Sequence, residues 1–144
     1  MRASPSEKTV TRGEEGSVLL LTLGYVLLAL ALLFVCVCAT DLYIAQKRLD
    51  ALADAAALAG ADGFTLVVEG ESVRAQLTAT GVRDQALALI AVMPGDATLV
   101  AADTPDGVSA RVTMAAAWHP PLFAPFVPDG VPLEATATSR TALR

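Results

Sequence analysis

From Ser17 to Thr40 the chain reads SVLLLTLGYVLLALALLFVCVCAT, without one charged residue. Roughly 20 apolar helical residues cross a bilayer core of about 30 Å, so residues 17–40 predict a transmembrane helix. One competing reading is a buried core helix, but a chain of 144 residues leaves too little beyond the run to wrap it on all sides. The other is a cleaved secretory signal, whose apolar region is ordinarily shorter and ends on an A-x-A-type site. VCVCAT approaches such a site only through the small residues Cys38, Ala39 and Thr40. The run also accounts for a composition that is 54% hydrophobic and 17% charged, against about a quarter charged in an ordinary soluble domain.

Flanking cations set the expected orientation. Arg2, Lys8 and Arg12 precede the run, and Lys47 and Arg48 follow it. The bias puts residues 1–16 in the cytoplasm as a polar tail and residues 41–144 outside, on a single-pass protein of the cell membrane. The outside segment holds seven Arg/Lys against twelve Asp/Glu and so carries the whole net charge of −5. An acidic surface argues against nucleic acid as a partner, because phosphates call for a basic patch. Cys36 and Cys38 are the only cysteines. Two apart on a helix, they point to different faces and cannot bridge each other, so they read as small hydrophobes.

Nothing stops the helix at the membrane exit. Charged residues arrive at Asp41, Lys47, Arg48 and Asp50, yet no proline or glycine appears before Gly60. Leu42, Ala45, Leu49, Leu52, Ala56 and Ala59 keep a three-and-four spacing, and Ile44, Ala51 and Leu58 form a second stripe. Gly60, Asp62 and Gly63 supply the stop. The expected helix therefore spans about 17–61, about 65 Å at 1.5 Å per residue, with residues 41–62 continuing it beyond the membrane. Apolar character on more than one face means cover on more than one side. Two readings of the alanines stand: close approach of further helices, as small residues allow in membrane bundles, or simply the best helix former. On the first reading Leu49, Leu52, Ala53, Ala56, Ala57 and Ala59 are candidate packing or partner residues, with self-association among the outcomes. Asp54 is either a buried functional acid or a solvated one.

Residues 63–144 predict a small α+β domain. FTLVV at 64–68 is a strand candidate, and Glu69-Gly70-Glu71 a turn. Val73, Ala75, Leu77 and Ala79 alternate with polar residues as in a half-buried strand, although a helix starting at Ser72 is the alternative. Val82, Ala86, Leu89, Ile90 and Met93 have helical spacing, stopped by Pro94-Gly95. Strands follow near 97–102, 108–114 and 133–138, the first two joined by Thr104-Pro105-Asp106-Gly107, a type I turn pattern. HPPLFAPFVPDG, residues 119–130, holds four prolines and excludes regular structure. Within it Leu122, Phe123 and Phe126 are candidate contact residues. The expected fold class is thus α+β: a long N-terminal transmembrane, pilin-like helix, then one antiparallel sheet with one packed helix, the sheet covering the outer half of the long helix.

Motifs for catalysis are missing. There is one histidine, His119, and no cysteine beyond residue 40 with which to build a metal site. No G-x-S-x-G, P-loop or dinucleotide fingerprint occurs. The expectation is a non-catalytic protein without a cofactor, in which His119 is a surface or packing residue.

The stretch from residue 16 to 63 resembles the N-terminal region of the TadE/TadG-like proteins of the tight-adherence (Flp) pilus system, and the later TPDGVSARVTM and PDGVPLEATATSRT look like their actinobacterial members. The residues that carry the resemblance are Arg12-Gly13 or Gly16 before the membrane run, then Asp41, Tyr43, Arg48-Leu49, and Ala53-Asp54-Ala55-Ala56-Ala57-Leu58-Ala59. The resemblance implies a pilin-like or TadG-like component of pilus assembly, adhesion or secretion. Its partners would be membrane lipid and other pilus-assembly or pilin-like membrane proteins. The alternative is a single-pass protein whose outer domain binds a ligand or protein unrelated to pili. In members cut by prepilin peptidase, a glycine marks the cut and a glutamate stands five residues into the mature helix. Gly16 and Ser17 are the matching candidate processing site, but the fifth residue is Leu21. N-terminal sequencing of the membrane-extracted protein is therefore expected to find the tail retained. A uniform start at Ser17 would show the reverse.

Overall fold

A computed structural model describes residues 14–140, and the tail cations Arg2, Lys8 and Arg12 lie outside them. Two compact units divide the chain, residues 1–39 and 40–144. One helix, α1 (Glu14–Ala61), supplies all the described structure of the first and opens the second. In the first unit none of its described side chains is fully buried. Leu20, Leu23, Leu27, Leu30 and Leu33 are each more than half exposed, and none of the most apolar stretch is buried. The helix is long and apolar enough to cross a membrane, and its side chains present hydrocarbon to whatever surrounds it. Thr22 turns its hydroxyl back to the Val18 carbonyl at 2.8 Å, which satisfies that donor within the helix.

The second unit continues α1 and adds β1 (Thr65–Glu69), β2 (Ser72–Gln76), α2 (Ala79–Val92), β3 (Thr98–Asp103), β4 (Ser109–Trp118) and β5 (Val131–Arg140). The five strands form two sheets where one was expected. β1 and β2 make a hairpin by themselves, and β3-β4-β5 make a three-stranded antiparallel sheet with β4 at its centre. The reason lies at the end of β2. Its expected continuation through Ala79 is taken by α2, whose first turn is capped by the Thr78 hydroxyl accepting from the Gly81 N–H at 3.1 Å. Of the alternating residues only Leu77 is buried. Its N–H donates to the Gly107 carbonyl at 2.8 Å, which ties the hairpin to the β3–β4 connection without extending the larger sheet. The hairpin's own turn starts on Gly70, with φ of 64°, as a two-residue hairpin turn requires of its first residue.

The core is built from small side chains. Leu49, Ala53, Ala56, Ala57 and Ala61 of α1 meet Val82 and Ala86 of α2, and Ala110, Val112, Met114, Ala135 and Ala137 of the sheet. Small residues let the backbones approach closely. A Cβ added at Gly60 would lie 2.8 Å from Val82 Cγ1 and 3.4 Å from Ala110 Cβ. One added at Gly81 would lie 2.7 Å from the Gly63 carbonyl oxygen, so the stop of α1 and the start of α2 touch backbone to backbone.

Asp106 holds the β3–β4 connection. Its carboxylate accepts from the Val108 N–H (3.1 Å), the Ser109 N–H (2.6 Å) and the Ser109 hydroxyl (2.8 Å), with Arg140 at 3.8 Å. These bonds, led by the Ser109 hydroxyl and the Val108 N–H, hold its pKa below the ordinary carboxylate value. A group whose pKa is lowered on folding stabilises the fold above its unfolded pKa, and that contribution disappears as pH falls through the folded pKa. Asp106→Asn should therefore melt below the parent at neutral pH, with the gap closing in strong acid. Thermal melts of both proteins across pH 2–7 check the sign.

Candidate functional site

The outer half of α1 carries two unlike faces. One is closed by the chain itself: Leu49, Ala53, Ala56 and Ala57 are at most 3% exposed, and Leu52 and Ala59 are half-buried. These are the residues marked out from sequence as packing or partner positions. The domain's own sheet and α2 cover the buried four, so a partner helix has no access to them. The other face is open. Ile44 is 41% exposed and Leu58 58%, with Ala51 exposed between them, so the second stripe of the sequence pattern is the free one. Asp54 is exposed, which settles it as a solvated acid.

Polar contacts fix this helix to the sheet near its start. Gln46 donates from Nε2 to Asp50 Oδ1 at 2.9 Å and to the Glu134 carbonyl at 3.0 Å. Lys47 reaches Asp50 Oδ2 at 2.9 Å and lies 5.8 Å over the Tyr43 ring. The Asp50 contact raises the Lys47 pKa, and the Lys47 hydrogen bond, ahead of that from Gln46, lowers that of Asp50. This is an exposed pair that holds side-chain geometry more than it adds stability. Farther toward the start of the unit, the Trp118 indole N–H donates to Asp41 Oδ2 at 2.8 Å. That bond joins residues 77 apart, and no local pattern announces it. The sequence marks Asp41 only as the first charge after the apolar run and as one of the residues that carry the resemblance.

An open groove of about 540 Å³ lies between α1 and the α2–β3 connection, lined by Ala45, Arg48, Leu52, Met93, Pro94 and Asp96 among others. It holds no clustered acids or nucleophiles. Among the described residues no group of three or more His, Cys, Asp or Glu is placed to hold a metal ion. His119 Nε2 lies 3.3 Å from the Pro128 carbonyl and serves to close its loop. In that loop Leu122 is 73% exposed, Phe123 47% and Phe126 77%. The two rings sit 6.1 Å apart and tilted at 60°. Gly16 and Ser17 fall within the first turn of α1, and the bond between them is therefore presented as helix.

Comparison with curated proteins and with solved structures found no match. Residues 16–63, one third of the chain, match a family model described as "Putative Flp pilus-assembly TadE/G-like". The match runs from the third residue of α1 to Gly63, two residues beyond its end. It thus takes in both the apolar span and the helix that organises the small domain, and it points to a role related to Flp pilus assembly. Over residues 16–63 the chain is similar to the Flp pilus-assembly TadE/G-like (Tad) family.

Proposed function

We propose that this protein is a membrane-anchored, structural component of a Flp pilus-assembly system, of the TadG-like kind that stays in the membrane. It would not be a processed major pilin. The observation that carries this reading is the match over residues 16–63, on a helix whose first part is uncovered and apolar and whose last part forms the core of a small domain. Such a helix can hold the domain at a membrane while leaving Ile44, Ala51 and Leu58 free for another component of the assembly. The cation flanks support an orientation with the N-terminus in the cytoplasm and residues 41–144 outside. Leu21, standing where processed pilins carry glutamate, supports retention at the membrane over incorporation into a filament.

Deletion of the gene, with complementation from a plasmid, tests the role. Loss of surface filaments in electron micrographs, restored by the intact gene, is the expected result. Unchanged filaments in the deletion strain would overturn it. Protease added to intact, wall-stripped cells tests the orientation: residues after about 62 should be degraded, and a protected domain with a degraded N-terminus would reverse it.

A further inference from the structure

Within residues 40–144 one end of the small domain lies beside Asp41, near the start of that unit. Three contacts read along α1 establish it. A Cβ at Gly60 would meet Ala110, near the start of β4. Gln46 reaches Glu134, which pairs with Ala115 in mid-strand. Asp41 holds Trp118, the last residue of β4. β4 therefore runs antiparallel to the outer half of α1, and its final residue lies beside the first charge after the apolar run. The connection to β5, residues 119–130, emerges at that end.

This connection is suited to a wet–apolar boundary. From His119 to Pro128 it reads HPPLFAPFVP, without an acidic or a permanently cationic side chain, and its one acid, Asp129, stands at the β5 end. Leu122 and Phe126 are about three-quarters exposed, and Val131, the residue paired with Trp118, is 37% exposed. Backbone donors are few. Pro120, Pro121, Pro125 and Pro128 have none, and the N–H groups of Phe123, Phe126, Val127 and Gly130 donate within the loop. Four of the loop's eight backbone N–H groups are thus satisfied internally, which lowers its cost of leaving water. Trp118 immediately precedes it, and Tyr43 stands two residues after Asp41 on α1; Trp and Tyr are the residues enriched at membrane–water interfaces.

We propose that the 119–130 loop is seated in the headgroup region of the membrane that α1 crosses, with Leu122, Phe123 and Phe126 directed into the lipid surface. The occupant is lipid because Asp41, to which the loop's first neighbour is tied, directly follows the apolar run read as the membrane span. The loop would fix how the domain stands on the membrane, and so which way Ile44, Ala51 and Leu58 face. This inference rests on the reading of residues 17–40 as a membrane span.

The test uses the full chain in liposomes, with Cys36 and Cys38 replaced by alanine and an environment-sensitive fluorophore attached at Leu122→Cys, Phe126→Cys or Leu66→Cys. Leu66 lies on the β1–β2 hairpin and is 62% exposed, so all three sites tolerate a label. Labels at 122 and 126 should shift to the blue and lose most of their emission when the acyl chains are brominated, since interfacial side chains sit about 5–10 Å into the headgroup boundary. The label at 66 should stay water-like and unquenched. The native Trp118, the single tryptophan, should also be quenched by brominated lipid in the unlabelled protein. If labels at 122 and 126 behave as at 66 while the protein floats with the liposomes and resists carbonate extraction, the lipid-seated loop is refuted and the span stands. If the protein fails to float, the span reading falls and the proposal with it.

Discussion

Replacing Met114 by alanine is expected to cost the small domain about 2–5 kcal/mol, toward the upper end of that range. Met114 is 0% exposed and is, with Val82 and Val112, among the largest fully buried side chains. It lies on the central strand, between Leu99 of β3 and Ala135 of β5. Most of its buried surroundings are alanine, and alanine has no rotamer with which to reach into a vacated space. The cavity would stay open, and the cost of such truncations rises with the cavity that remains. A small domain has only about 5–15 kcal/mol of stability in total, so the variant should unfold at a markedly lower denaturant concentration. Denaturant titration of the detergent-solubilised full chain, followed by Trp118 fluorescence, measures it. A midpoint within error of the parent would show that Met114 is not part of a tightly packed core.

Ala56→Leu is the second large effect, and it separates the two faces of the helix. Ala56 is 0% exposed, in the cluster where α1 meets α2 and the sheet. Three added carbons have no room there, and overpacking costs about 1–3 kcal/mol. Ala51→Leu makes the same chemical change on the exposed stripe. Leucine is nearly as good a helix former as alanine, so that variant should melt like the parent. If Ile44, Ala51 and Leu58 serve the assembly, Ala51→Leu should instead reduce filament formation in complemented cells. The expected pattern is therefore crossed: Ala56→Leu lowers stability, while Ala51→Leu lowers assembly alone. Equal melting of the two variants would contradict the assignment of faces.

The contrast also shows what a linear pattern carries. The charge-free run and the absence of a breaker before Gly60 are enough to write α1 almost to its observed ends, because helix continuation is a local property. The β3–β4 connection is legible for the same reason, through Pro105, Asp106 and Gly107. Which surface covers the alanines is not local. Ala53, Ala56 and Ala57 fit a partner helix as well as a β-sheet, since both reward small side chains, and only the fold shows that the chain covers them itself. The alternation from Val73 to Ala79 predicts a strand but not its neighbours. The Thr78 cap then ends that strand early and leaves a separate hairpin. The Asp41–Trp118 bond, which sets the end of the domain from which the apolar loop emerges, joins residues too far apart for any periodicity to report.

The central claim is that the uncovered surfaces of α1 meet other components of a Flp pilus-assembly system. Photo-crosslinking in living cells from a reactive residue placed at Leu27, at Leu58 or at Ala53, with the adducts identified by mass spectrometry, tests it most directly. The account predicts adducts to other pilus-assembly membrane proteins from the exposed positions 27 and 58, and only intramolecular products from the buried position 53. Adducts confined to lipid or to proteins outside pilus assembly from positions 27 and 58 would contradict it.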